Sequence, residues 1–457
     1  MIFAVKLDKI KLRVLYCVLI TILTKESFMK VLGIITEYNP FHNGHQLHLN
    51  KSLTKSKADA SICIMSGSFL QRGTPALVSP WARAKMALAA GVDLVIQLPV
   101  SYSLRSAEYF AYGSVKLLDA ANIVDSLCFG SEIGKLTPLK FLGELLAQEP
   151  PTLSKLIQNN LNSNISYPQA RAQALSTYLK ENTAKSPLAP DDLIELLHNA
   201  NDILGIEYIK ALTKLNSSIT PLTIKRKGAA YNAKDLNKIA SATAIRYQLQ
   251  KNHKNNQPLF PADLKKTLPA SSLEILREEF KAGKGPIFAE DFGLQLLTLL
   301  RRNSKEKLTN YEDVRGGLEN RIKESALNTT SWAELIAEIN TKRFTQTRIQ
   351  RILAHTLLDL QADDLRSFDK AGGPLYYRVL GFNQQGKELL HQIKNKGDLP
   401  LISRVANHFK SSYQPRNLLQ KMLAYDLQAN NIYSLAFHNS DWQQGNLDYI
   451  QSPIIKN

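Results

Sequence analysis

From Met29 to about Gln250, short apolar runs alternate with longer amphipathic stretches. Val31–Thr36, Ala60–Met65, Leu94–Leu98, Ser126–Phe129 and Thr220–Ile224 are mostly apolar and too short for helices, which predicts buried strands. Helices are expected after Gly44, Ser79, Ser103, Asp191 and Ser241. Leu139–Lys180 reads as helical with a break at Glu149-Pro150-Pro151. Strand alternating with helix is the signature of an α/β fold with a parallel sheet. Lys251–Pro269 is polar and holds three prolines, so it reads as a linker. The remainder, 270–457, is expected to be a mostly α-helical C-terminal domain with a turn at Asp369–Gly373.

Residues 1–28 break the pattern. Lys6, Lys9, Lys11 and Arg13 precede an apolar run from Val14 to Leu23. That run is too short to span a bilayer and no small-residue cleavage site follows it. Met29-Lys30-Val31-Leu32 then reads as a chain start, so 1–28 is expected to be an upstream extension and no membrane partner is implied.

An apolar fraction of 44% and a charged fraction of 21% are ordinary for a globular protein and argue against wholesale disorder. The net charge of +17 favours a polyanionic partner. Cys17, Cys63 and Cys128 have no metal-ligand or disulfide-framework spacing, and Cys63 and Cys128 fall in apolar runs, as reduced core thiols do. No resident metal site is expected.

His42-Asn43-Gly44-His45 carries the strongest chemical signal, because it follows the strand Val31–Thr36 and opens a helix. Two histidines three apart share one face. Gly44 lets the backbone approach a ligand, and the helix start offers free N–H groups to phosphate. Imidazole N–H donors aimed at the α-phosphate of ATP would stabilise the charge that builds there in the transition state. Downstream, Ser241-Ala242-Thr243-Ala244-Ile245-Arg246 opens another helix. Ser241 and Thr243 can cap it, and Arg246 can attract a triphosphate.

These elements resemble the HIGH-type nucleotidyltransferase superfamily. The longer string from Gly33 through Glu37-Tyr38-Asn39-Pro40-Phe41 to His45 is similar to the bacterial tRNA(Met) cytidine acetate ligase family. So are Ser66–Gly73, Arg105–Ala111, Phe129–Glu132, Asn201–Tyr208, Ile224–Arg226, Arg343–Arg351 and Arg378–Asn383. The likeness covers essentially everything after Met29. It implies a Rossmann-like nucleotidyltransferase domain over 29–250, a linker over 251–269 and a tRNA-binding domain over 270–457.

The reaction it implies has two steps in the cytoplasm. ATP, arriving with Mg²⁺, and acetate give acetyl-adenylate. The acetyl group then passes to N4 of the wobble cytidine of elongator tRNA(Met). No prosthetic group is expected. The resemblance places ATP contacts on Ile35, Thr36, Glu37, Tyr38, Asn39, Pro40, Phe41, His42, Asn43, Gly44, His45, Gln46, Leu47 and His48, and on Gly130, Asn201 and Arg226, with His42 and His45 catalytic.

Two departures from the family stand out: Ser68 where asparagine is common, which could alter an acyl or phosphate contact, and Asp202, whose charge would sit badly beside a triphosphate. Glu37 could accept the proton lost by the cytidine amino group or simply hold the turn. Arg343, Arg348 and Arg351, with Lys342 and His355, lie in an expected helix. Spacing puts Arg348, Arg351 and His355 on one face, a candidate track for RNA phosphates. Two rival functions fit parts of the pattern: an adenylyltransferase acting on a phosphorylated small molecule, and a non-catalytic RNA-binding protein regulated by ATP.

Overall fold

The expected strands all form, and in the order of a doubly wound sheet. The computed structural model describes residues 29–162, 165, 167–182, 187–226, 240–341, 344–408 and 414–457. The expected extension 1–28, Lys342 and the candidate Arg343 lie outside the described residues. Strands β1 (Val31–Thr36), β2 (Ala60–Ser66), β3 (Leu94–Leu98), β4 (Ser126–Ser131) and β5 (Thr220–Lys225) are mutually parallel in the order β5-β4-β1-β2-β3. β2 and β3 are buried along their whole length, which is why they read as continuous apolar runs.

Helices α1 (Asn43–Ser56), α2 (Pro80–Ala89), α3 (Ala107–Asp119), α4 (Leu136–Gln148), α5 (Ala200–Lys214) and α6 (Ala242–Lys254) belong to this first half. Two buried apolar clusters form. One gathers Val31, Ile62, Leu118 and Ile206, the other Leu32, Ile34, Cys63 and Leu249. Alternate β1 residues thus enter different cores, as the two-residue strand period requires. From β1 the chain winds outward to β2 and β3, then returns to lay β4 on the other side of β1. The crevice beyond the carboxyl ends of β1 and β4 is therefore the switch point where such sheets bind ligands.

The second half is mostly helical, but it also completes the sheet. β6 (Tyr377–Asn383) pairs antiparallel with β3, and β7 (Leu401–Ile402) and β8 (Ile454–Lys456) pair with β6. A lone strand among helical periods gives no alternating pattern to announce it, so 377–383 was expected within a helical domain. Nor is 251–269 an open spacer. Leu264 and Leu268 are buried, and the carbonyls of Lys266 and Thr267 accept hydrogen bonds from Asn43 Nδ2 (2.8 Å) and Asn43 N–H (3.0 Å). A buried charge also ties the halves. Arg105, ahead of α3, pairs with Glu312 and Asp369 of the second half.

Candidate active site

The turn after β1 is shaped by its own side chains. Tyr38 takes a positive φ of 47°, and the Asn39–Pro40 peptide is cis. Asn39 Oδ1 accepts from Leu77 N–H at 2.8 Å, fastening the turn to the segment before α2. Arg83, fully buried on α2, donates to the carbonyl of Glu37 (2.7 Å), to that of Val78 (3.3 Å) and to that of Gly67. One guanidinium thus holds the loops after β1 and β2 together. The sequence did not mark Arg83 for this role; a charged residue inside an otherwise apolar helix period was its only signal.

The turn delivers His42 to the N-cap of α1. Gly44 N–H donates to His42 Nδ1 (2.9 Å) and His42 N–H donates to His45 Nδ1 (3.3 Å), a reciprocal cap. The two rings stack at 3.8 Å. Both Nδ1 atoms accept, so each neutral imidazole carries its proton on Nε2. Burial, reinforced by Arg226 and Arg246, lowers the His42 pKa to about 3. Burial and the neighbouring His42 push His45 well below its ordinary value. Near neutral pH the pair is uncharged and presents two Nε2–H donors.

They face a cavity of about 390 Å³ at the switch point. Of the expected ATP span, Ile35, Thr36, Glu37, Tyr38, Asn39, His42, Gly44, His45, Leu47 and His48 line it. Pro40, Phe41, Asn43 and Gln46 do not. Phe41 packs edge-on to Tyr38 in the core, Asn43 binds the 266–267 carbonyls, and Gln46 Nε2 donates to Asn50 and to the carbonyl of Ala90. A helix shows only one side to a pocket, so a continuous span cannot all touch ligand.

Gly130, Asn201 and Arg226 converge on the same cavity. A Cβ on Gly130 would come within 3.2 Å of Arg226 Cγ and 3.7 Å of His48 Cδ2, so the glycine leaves room for both side chains. Asn201 Nδ2 donates to Glu132 (2.6 Å), and Asn201 Oδ1 accepts from Arg226 (3.3 Å). Asp202, the second family departure, is buried away from the cavity. It accepts from Glu132 N–H (2.9 Å), while Glu132 accepts from Asp202 N–H (2.9 Å) at the start of α5. Its carboxylate therefore holds the backbone after β4 while Glu132 caps α5, and Asp202 does not line the cavity. Burial lowers His48 to about 4, against the pull of the Phe129 backbone.

Ser241, Thr243 and Arg246 line the cavity as well. Ser241 Oγ caps α6 by accepting from Ala244 N–H (3.1 Å). Arg246 donates to the carbonyl of Asn39 (2.7 Å) and to Thr243 (3.3 Å), which fixes its head beside the histidine turn. Glu37 Oε1 accepts from Gln71 N–H at 2.7 Å, the turn-holding alternative. Ser68 is buried and does not line the cavity; its Oγ donates to Asn430 Oδ1 at 2.5 Å.

The expected basic face on helix α7 (Gln346–Leu357) turns inward. His355 is buried and bonds the carbonyl of Leu104 (2.8 Å), and Arg348 donates to that of Asp313 (2.6 Å). Arg351 and Thr347 line the cavity itself. So do Leu70, Gln71, Arg72 and Thr74 from the loop after β2, which the sequence did not mark as part of the site. Their signal was position: the loop leaves the carboxyl end of a parallel strand next to β1.

A doubly wound sheet with paired neutral imidazoles at the first helix start defines a nucleotidyltransferase. The model of the HIGH Nucleotidyl Transferase family matches residues 29–448. Within it, the chain is 44% identical over 431 residues to the tRNA(Met) cytidine acetate ligase of Halothermothrix orenii, covering 94% of this chain and 100% of that one. It is 43% identical to the enzyme of the same name from Acetivibrio thermocellus, covering 93% and 100%. The crystal structure of Thermotoga maritima TmcAL bound with alpha-thio ATP superposes with a TM-score of 0.85 at 33% identity, over 93% of this chain and 99% of that one. The apo form superposes at 0.87. The chain belongs to the tRNA(Met) cytidine acetate ligase family.

Proposed function

We infer that this chain is an ATP-dependent ligase that joins acetate to the N4 amino group of the wobble cytidine of elongator tRNA(Met). The pair of neutral imidazoles, Nδ1 tied to backbone and Nε2–H toward the cavity, carries the reading. In the first step an acetate oxygen attacks the α-phosphorus of ATP and pyrophosphate leaves. His42 and His45 donate to the α-phosphate oxygens as charge grows on them, which favours the transition state over the ground state. Neutral donors suit this role because they do not bind the ground-state polyanion as strongly as two cations would.

Arg246, Ser241 and Thr243 serve the leaving β- and γ-phosphates, and Arg226 with Asn201 serves the nucleoside side. Mg²⁺ arrives on the phosphates. In the second step the cytidine N4 attacks the acetyl carbonyl, AMP leaves, and one proton is lost to water or to Glu37. Residues 270–457 contribute most of the tRNA contacts, and the enzyme works in the cytoplasm, where its tRNA is found. Among the described residues no helix is long and apolar enough to cross a membrane.

The test is to measure AMP and pyrophosphate release with acetate, ATP and tRNA each omitted in turn. The ligase reading expects AMP formation to depend on acetate, and labelled acetyl to appear on elongator tRNA(Met). Turnover with a phosphorylated small molecule in place of acetate would favour the adenylyltransferase, and no turnover at all the non-catalytic protein.

A further inference from the structure

The cavity contains a second cationic group, separate from the one around the histidines. Arg226 and Arg246 are the arginines that bear on His42 and His45, whereas Arg351, whose charge is disfavoured first by burial, lies near Arg348 and Arg72. Arg351 is half-buried, lines the cavity, and makes no hydrogen bond or ion pair with any described residue. Asp313 and Glu312 lie near enough to favour its charge, but Glu312 is engaged by Arg105 and neither forms an ion pair with Arg351.

Arg72 is brought there by a close backbone contact. Gly73 has φ of +81°, and a Cβ on it would lie 2.2 Å from the carbonyl carbon of Gln350 and 2.3 Å from Arg351 N. Only glycine lets the loop after β2 lie against α7 at that point, and the contact sets Arg72 next to Arg351. A half-buried guanidinium beside like charges is costly unless an anion completes the site.

We propose that Arg72 and Arg351 form the subsite for the backbone phosphate of the acceptor nucleotide, holding the anticodon strand while its cytosine reaches the adenylate. This rests on the ligase reading above. A phosphodiester suits the position better than acetate does. Acetate must lie within roughly 3–3.5 Å of the α-phosphorus to attack it, beside the histidines, where Arg226 and Arg246 already supply the positive charge. A phosphate linked to the reacting base must lie away from the α-phosphorus, and Arg72, Thr347 and Arg351 are half-buried cavity-lining residues outside the arginine group around the histidines. The arginines come from opposite halves of the chain, so the acceptor site is complete only when the two halves are packed together.

The experiment uses the full chain with Arg72→Gln, Arg351→Gln and Arg351→Lys, with melting temperature recorded for each. Acetyl transfer gives the KM for elongator tRNA(Met) as a function of salt. Acetate-dependent ATP–pyrophosphate exchange without tRNA gives the KM for acetate. Each Gln variant is expected to raise the tRNA KM tenfold or more while moving the acetate KM less than twofold. The slope of log affinity against log salt should become shallower by about 0.7 for each single-strand phosphate that is no longer neutralised. Arg351→Lys should recover much of the affinity, since a point charge still neutralises a phosphate. An acetate KM that rises while the tRNA KM stays put would overturn the proposal and assign the arginines to acetate. An unmoved tRNA KM and salt slope in folded variants would overturn it too. Failure of the ligase reading itself is seen separately, as absence of acetate-dependent AMP formation in the unsubstituted protein.

Discussion

His42 has two roles that can be separated by substitution. Its Nδ1 caps α1 and its Nε2–H faces the cavity. Alanine removes both, asparagine only the second, because asparagine is itself a good N-cap. Both variants should therefore lose about two orders of magnitude or more in acetate-dependent ATP–pyrophosphate exchange. Only His42→Ala should also lose about 1 kcal/mol of stability. Exchange near the normal rate in the asparagine variant would remove the Nε2–H from catalysis.

The histidines also set a pH dependence. Unfolded histidines titrate near the ordinary value of 6.5, while in the fold burial holds His42 to about 3 and His48 to about 4. Above 6.5 neither state is protonated and stability is full. As pH falls from 6.5 toward 3 the unfolded chain takes up protons that the folded site refuses, and stability declines across that window. Urea midpoints measured from about pH 8 to about pH 4 should show this decline, and His48→Gln should make it shallower. The exchange rate, by contrast, should show no inflection near 6.5 from this pair. An inflection there would mean that a charged imidazole takes part.

At the scale of elements, most of the catalytic turn was readable and most of its neighbourhood was not. The strand–turn–helix order around His42-Asn43-Gly44-His45 follows from local chemistry: a buried apolar strand, a proline, a glycine and a helix cap lie within fifteen residues of each other. Arg83, Leu70 and Arg351 lie elsewhere in the chain, and nothing local to them says that they meet the histidine turn or its cavity. On α7 the expected face divides: Arg348 and His355 bond backbone carbonyls, while Arg351 lines the cavity. Helical spacing says which residues share a face, not whether that face meets solvent or protein.

The contact of Gly73 with α7 tests the element packing directly. Gly73→Ala forces a Cβ into the Gln350–Arg351 backbone from a φ of +81°, so the loop or the helix must shift. Stability should fall by at least about 1–3 kcal/mol, the usual cost of a strained backbone position. Acetyl transfer should fall more than pyrophosphate exchange. A variant with normal stability and normal transfer would show that the approach is looser than the 2.2 Å separation requires.

For the whole molecule, the sheet and the ion pairs of Arg105 join the two halves. Arg105 is 1% exposed and meets Glu312 and Asp369, residues from beyond 251–269. Tyr376 and the Val100 N–H both bond to Asp426, at 2.6 and 2.7 Å. Calorimetry should therefore show one transition, not two. Arg105→Met should lower its midpoint, since stranding partly buried carboxylates after one partner is removed costs about 3–5 kcal/mol. Two resolved transitions in the unsubstituted protein would mean that the halves fold separately.

The sequence alone determined the first five strands, their helices and the histidine turn. Each depends on residues within about twenty positions, where apolar periodicity, caps and proline act directly on the backbone. Tertiary structure decided the rest. β6 is a strand because β3 offers it an open edge. Asp202 and Ser68 turn away from the cavity because Glu132 and Asn430 are there to bond them. Arg72 and Arg351 meet because two backbones approach closely at Gly73. Such outcomes depend on which partners the fold brings within a few ångströms, and separation along the chain carries no record of that distance.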